Sequence, residues 1–512
     1  MNLLKNTAVV SAMTMASRVL GLVRDVLLAN VLGAGPIADA FVAAFRLPNL
    51  FRRFFAEGAF NAAFVPLYAK TSEGDGDQSA REFASDAFSG LATILLIFTF
   101  IALLAMPWLA SSIAGGYEGE KFDLTVAFTR ITFPYLFFIS LVALLSGILN
   151  SHGRFALAAA APVLLNVVLI SVLLFFVQFA ETPGHALVWG VFAAGVVQFA
   201  VLVWGCARAG LMPKWRRPRW TPQMRQLVTL GIPGIIAAGI TQLNLLVGTR
   251  IASEAESAVS ILFYADRLYQ LPLGLIGAAM GVVLLPDISR RLRAEDEQGA
   301  LHVQNRAVEL SCLLTLPAAV ALYVIPLEII SVLFQHGEFT ADDGRQTAAA
   351  VAIFALGLPA FVLMKVFQPG FFAREDTRTP MIFAGINAVV NIVLSYVLFF
   401  RIGLVGIAIG TSVAGWVNLL LLAGRLRQLG HFQADMRLIR RLPRILLASV
   451  GMGAGLYFGA PQLALWMPSA SLIDEIVGLA VLVLGGMALY GLLVQMCGGA
   501  RLSDLKSSIL RG

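Results

Sequence analysis

The sequence predicts an all-α polytopic membrane protein of fourteen transmembrane helices, arranged as two six-helix lobes related by a parallel repeat plus two extra C-terminal helices. Three observations predict it. First, 58% of the 512 residues are hydrophobic and only 13% are charged, about half the charged share of an ordinary soluble chain. That is too little charge to coat the several domains a soluble chain of this length would form. Second, apolar runs long enough to cross a hydrocarbon core of about 30 Å recur along the whole chain. Third, non-apolar landmarks of the first half return in the second half at a near-constant offset. The composition excludes an ordinary soluble enzyme, a disordered chain and a secreted disulfide scaffold. Cys206, Cys312 and Cys497 are odd in number and far apart, which gives neither a disulfide framework nor a metal spacing.

The runs lie near 8–32, 37–68, 83–113, 124–149, 157–180, 186–207 and 223–252, then near 258–288, 304–332, 346–372, 379–400, 403–427, 441–460 and 473–497. The first holds Arg18 and is followed by no A-x-A site, so it is expected to stay in the protein and not to be cleaved as a signal peptide. The second is roughly 48 Å long at a helical rise of 1.5 Å per residue, so it tilts or overshoots the core. Pro48 with Gly58, and Pro272 with Gly274, are expected to let the second and eighth runs bend.

Lysine and arginine set the orientation. With a cytoplasmic N-terminus, 25 of them fall in inside segments and only Lys121, Arg345 and Arg401 fall outside. The positive-inside rule then places both termini in the cytoplasm. On this reading the net charge of +7 and the basic stretch at 214–219 are topogenic and do not mark a nucleic-acid surface.

The repeat rests on specific pairs. Pro134 and Asn166 return as Pro359 and Asn391, both 225 residues later, while Arg24 returns as Arg250 and Pro48 as Pro272. Runs one to six therefore pair with runs seven to twelve. Six is even, so the halves share an orientation, as in a parallel repeat about an axis along the membrane normal. The expected domains are 1–215, 216–436 and 437–512, the last holding the two left-over runs. Two such bundles with a site between them suit an alternating-access transporter.

Nine basic residues remain inside runs: Arg18, Arg24, Arg46, Arg52, Arg53, Arg130, Arg250, Arg267 and Lys365. Each costs about 3 kcal/mol at the centre of a lipid-facing helix. Arg130 and Arg250 lie near run ends and can snorkel; the others need a wet interior. Seven residues make nearly two helical turns, so Ser17 and Arg24 share a stripe, Arg18 and Asp25 share its neighbour, and Asp39, Arg46 and Arg53 share another, with Glu57 one turn further on. Asp266 sits beside Arg267 in the eighth run. Arginine suits a diphosphate because its planar fork makes paired hydrogen bonds and stays charged. The arginines outnumber the acids, which predicts a cationic cavity for an anion, with Arg24, Arg52 and Arg267 touching it. The acids either close a gate against arginines of the other lobe or pair locally. Asn387 and Asn391, one turn apart, either help to ligate a cation or bond between helices.

Residues 6–68, from NTAVVSAMTMASRVLGLVRDVLLANVLGAGPIADAFVAAFRLPNLF to FVPLY, closely resemble the MurJ (MviN) family of lipid II flippases, within the multidrug/oligosaccharidyl-lipid/polysaccharide exporter superfamily. The stretches FYADRLYQLPLGLIGAAMGVVLLP and KVFQPGFFAREDTRTP are similar to it too, and the resemblance covers essentially the whole chain. It implies a flippase, not an enzyme, that moves undecaprenyl-diphosphate-disaccharide-pentapeptide from the cytoplasmic to the periplasmic leaflet of the bacterial inner membrane. By the same resemblance, Arg18, Arg24, Arg52 and Arg267 match the family's cationic cavity. Asp25, Asp39, Arg53, Glu57 and Asp266 match its gate and cavity ion pairs, and the last two spans match a lipid-tail groove. Some members carry a further acid where this chain has Gln270. A sodium site proposed in a relative would want acidic ligands; its candidates here are Asn244, Asn387 and Asn391, all uncharged, and no cofactor is expected. Expected partners are lipid II, membrane lipids and proteins of cell-wall synthesis or division, with no nucleic acid, and the chain is expected to be a monomer. Competing readings are export of another polyprenyl-diphosphate oligosaccharide and drug/cation antiport. The latter would want an acidic cavity.

Overall fold

The computed structural model describes residues 2–55, 59–466 and 471–499, which are helical almost throughout and contain no strand. Packing divides the chain into two compact units, Met1–Ser260 with Gly337–Phe339, and Ile261–His336 with Thr340–Gly512.

The first unit holds α1 (Asn2–Leu32), α2 (Pro36–Phe55), α3 (Ala59–Leu104), α4 (Met106–Ala114), α5 (Gly119–Thr132), α6 (Tyr135–Ser151), α7 (Phe155–Ser171), α8 (Pro183–Arg208) and α9 (Pro222–Ala252), with the first residues of α10 (Ala258–Pro272). Helix α1 packs on α7, α2 on α5, α6 and α8, and α3 on α6 and α9. Phe64, Phe128, Phe133 and Tyr135 are wholly buried within it.

The second unit holds the rest of α10, then α11 (Ala278–Arg293), α12 (Glu297–Val324), α13 (Pro326–Phe334), α14 (Ala341–Phe372), α15 (Arg378–Ile402), α16 (Leu404–Gln428), α17 (Met436–Trp466) and α18 (Leu472–Met496). One core within it joins α11, α12, α14 and α16 through Ile288, Val308, Phe367, Phe371 and Leu422. Helices α15 and α16 touch backbone to backbone because Gly406 and Gly410 lack side chains. A Cβ at Gly406 would stand 2.5 Å from the Leu398 carbonyl carbon, and one at Gly410 2.5 Å from the Ser395 hydroxyl. This is the small-residue packing that membrane helices use in place of a hydrophobic driving force. Much of α18, including Leu484, Met487 and Leu492, is exposed, as a lipid-facing helix should be.

Ten stretches of helix among the described residues, from Ala63–Leu104 to Leu472–Met496, are long and apolar enough to cross a membrane. They overlap ten of the expected runs, the third to sixth and ninth to fourteenth. The runs near 8–32, 37–68, 223–252 and 258–288 are also helical where described, and three of them carry most of the embedded charges.

Several runs are divided, some of them beside a proline, whose missing N–H removes a backbone bond. The run expected at 37–68 is shared between α2 and α3, and Glu57 lies outside the described residues. Helix α3 continues past the polar stretch at 70–82 and turns at Gly76, whose φ of 87° only glycine adopts at no cost. Pro107 starts α4 from its first turn. After Pro272 the helix widens into a π turn, Leu273–Gly277, before α11, at the position where a bend was expected.

Candidate functional site

Two charges of α1, Arg24 and Asp25, meet at one buried node in the first unit. Arg24 is 8% exposed and Asp25 3%. Both Nε and Nη2 of Arg24 donate to Oδ1 of Asp25, at 3.0 and 2.6 Å. Nη1 donates to Oδ1 of Asn166 on α7 at 2.9 Å. The amide nitrogen of Asn166 in turn donates to the Ser17 carbonyl at 2.9 Å. Ser17 and Arg24, expected on one stripe, thus meet the same side chain. The burial is tolerable because the cation is paired and hydrogen-bonded on both edges.

The stripe of α2 lies along a seam within the same unit. Arg46 donates to the Thr249 hydroxyl of α9 at 2.6 Å, and Arg53 to the Gln242 side-chain carbonyl at 3.5 Å. Seven residues separate each pair, and they run in opposite senses, as antiparallel helices require. Asp39, wholly buried, continues the line: its Oδ1 accepts the Ser260 N–H at 2.8 Å and the Ser260 hydroxyl at 2.7 Å. Ser260 lies in the first turn of α10, so the carboxylate also answers the positive end of that helix. The other oxygen of Asp39 takes the Lys121 ammonium at 2.6 Å. Lys121 rests over the Tyr117 ring, 4.0 Å from its centroid. The cation that Asp39 meets among the described residues is this lysine.

The remaining candidates lie apart from these two groups. Arg18 on α1, and Arg52 in the last turn of α2, are half-buried. In the second unit, Arg267 lies with its guanidinium 4.5 Å from the Phe263 ring centroid. Gln270 donates to Asp266. Asn391 accepts from Ser395 at 3.0 Å and from Thr411 of α16 at 3.2 Å, so it bonds between helices. Asn244 and Asn387 are half-buried. Among the described residues no group of three or more His, Cys, Asp or Glu is placed to hold a metal.

Sequence reasoning missed Lys121, Ser260, Gln242 and Thr249, and noted Asn166 only as a landmark of the repeat. Lys121 lies in the first turn of α5 but ahead of the apolar run expected near 124–149, so in the sequence it reads as a solvated loop charge. Asn166 carried a signal: a lone amide in an apolar helix is expensive unless a partner waits for it.

A model of the lipid II flippase MurJ family matches residues 28–475. The chain is 48% identical over 520 residues to the probable lipid II flippase MurJ of Rhizobium meliloti (strain 1021), with 100% of this chain and 97% of the relative covered. It is 34% identical over 497 residues to the lipid II flippase MurJ of Burkholderia cenocepacia, with 96% of each covered. Among solved structures, lipid II flippase MurJ in an inward closed conformation matches with a TM-score of 0.79 and 25% identity, over 95% of this chain and 98% of that one. An inward-facing multidrug-resistance MATE transporter of the MOP superfamily shares the fold, at a TM-score of 0.68 and 15% identity over 83% of this chain and 98% of the other. The chain belongs to the lipid II flippase MurJ family.

Proposed function

We propose that this protein is a lipid II flippase, carrying undecaprenyl-diphosphate-disaccharide-pentapeptide from the cytoplasmic to the periplasmic leaflet of the bacterial inner membrane by alternating access. Kinship along the whole chain carries the reading, and the embedded arginines supply its chemistry. The polyprenyl tail is at home in hydrocarbon, while the diphosphate is not. Arg18, Arg24, Arg52 and Arg267 replace its water with fixed guanidinium donors, which bind phosphate oxygens in pairs. Asp25, Asp39, Arg53, Glu57 and Asp266 form the ion pairs that open and close around it. The lobes are 1–215 and 216–436, and 437–512 supplies the groove for the tail. Fourteen spans with both termini cytoplasmic present the site to the leaflet where the lipid is made. The protein acts as a monomer beside proteins of cell-wall synthesis and division.

The test is depletion of the protein while access of lipid II to a periplasmic probe is measured. Access should fall, and Arg267→Ala should fail to restore it. Unchanged access on depletion would point to another polyprenyl-diphosphate cargo.

A further inference from the structure

Asn166 is 5% exposed, and only one orientation of its amide satisfies both ends. Nδ2 donates to the Ser17 carbonyl at 2.9 Å, with the Ser17 hydroxyl at 3.5 Å, while Oδ1 accepts Nη1 of Arg24 at 2.9 Å. Turned over, the amide would set donor against donor at the guanidinium and oxygen against oxygen at the carbonyl. The backbone of α1 therefore decides which end Arg24 meets. Gly21 lies between Ser17 and Arg24 on the facing helix, and a Cβ there would stand 3.6 Å from Nδ2. That is ordinary van der Waals contact, so the orientation of the amide is fixed by its hydrogen bonds.

The two acceptors that hold Arg24 differ in charge. Asp25 offers one oxygen to both Nε and Nη2 and cancels the cation. Asn166 is neutral and fixes the guanidinium plane without cancelling anything. The Nε–Nη2 edge is one that can make two parallel bonds to phosphate oxygens. A diphosphate that displaces Asp25 thus finds that edge already aimed, with Nη1 still anchored.

We infer that Asn166 is a positioning residue for the lipid-diphosphate site: its amide, locked by Ser17, holds Nη1 of Arg24 so that the Nε–Nη2 edge can pass between Asp25 and a diphosphate. This rests on the proposed role of Arg24 in binding that group.

The full chain in nanodiscs is titrated with undecaprenyl diphosphate, and with undecaprenol to read tail binding alone, and each variant's thermal midpoint is recorded. Asn166→Ala should weaken the diphosphate roughly ten-fold, about the value of one hydrogen bond to a charged group, and leave undecaprenol unchanged. Asn166→Asp keeps the shape but brings a second carboxylate to the guanidinium, so it should weaken the diphosphate further. In an Arg24→Gln background, Asn166→Ala should add almost nothing. A full additive loss there, or an equal loss of undecaprenol, would make Asn166 a packing residue and overturn the inference alone. If Asn166→Ala does not fold, Asn166→Asp decides: binding as tight as wild type overturns the inference. Wild-type binding by Arg24→Gln would instead sink the proposed diphosphate site, and the inference with it.

Discussion

At the scale of single residues, a buried cation is defined by what answers it. Arg24 is answered by Asp25 and Asn166, so its removal is not silent for folding. Breaking a buried pair from one side costs about 3–5 kcal/mol because the other charge stays behind. Arg24→Lys is therefore the sharper probe: it keeps the charge and loses the fork. It should accumulate close to wild-type level yet slow the appearance of lipid II at the periplasmic face at least about ten-fold. Transport at the wild-type rate would show that a point charge suffices. A second prediction concerns Asp376, between α14 and α15. Its Oδ1 accepts the Thr379 N–H at 2.9 Å, which holds the carboxyl below its ordinary range. The folded state then binds that proton less readily than the unfolded one. The stabilisation is complete above the unfolded value of about 3.9 and is lost as pH falls through the lower folded value. Asp376→Asn keeps an acceptor in place, so its thermal midpoint should fall less steeply on acidification; matching acid limbs would refute this. The helical repeat was enough to put Ser17 and Arg24 on one stripe. Asn166 was not assignable to them, because it stands 142 residues away and periodicity does not say which helices pack together.

Among the helices, the α2–α9 seam shows how much a stripe can reveal. The heptad spacing of Asp39, Arg46 and Arg53 identified a polar face, and each member meets a partner on α9 or at the start of α10. What stayed hidden was the neutral character of those partners. Serine, threonine and glutamine look unremarkable among apolar residues, whereas carboxylates would have been conspicuous. Thr249 is 2% exposed and accepts from a guanidinium, a bond worth about 1.5–3 kcal/mol. Thr249→Val, which keeps the shape and removes the acceptor, should raise hydrogen exchange along the C-terminal half of α9. Thr249→Ser should match wild type. Equal protection in all three proteins would mean that the seam contributes nothing to holding α9. Breaks at proline were foreseen as breaks, but the π turn after Pro272 was not, since its form depends on how the freed carbonyls find new donors.

For the molecule as a whole, the sequence reads best where hydrophobicity alone decides. Ten apolar stretches stand where runs were expected, because a helix in lipid must satisfy its own backbone. Packing is less legible. The repeat offset divides the chain near residue 215, while compactness carries α9 into the first unit, against α3 and α4, and an offset says nothing of neighbours. The proposed orientation rests on charge, and it can be tested directly. With the N-terminus inside, 25 basic residues stay in the cytoplasm and three are translocated; the opposite topology would carry those 25 across. Cys206, Cys312 and Cys497 form no disulfide and can be replaced by alanine. In that background, Arg401→Cys, beside the turn from α15 to α16, should react with a membrane-impermeant maleimide on intact spheroplasts. Arg217→Cys, exposed ahead of α9, should react only after permeabilisation. The reverse pattern would put the basic loops outside, and would leave the arginines waiting on the leaflet that receives the lipid instead of the one that makes it.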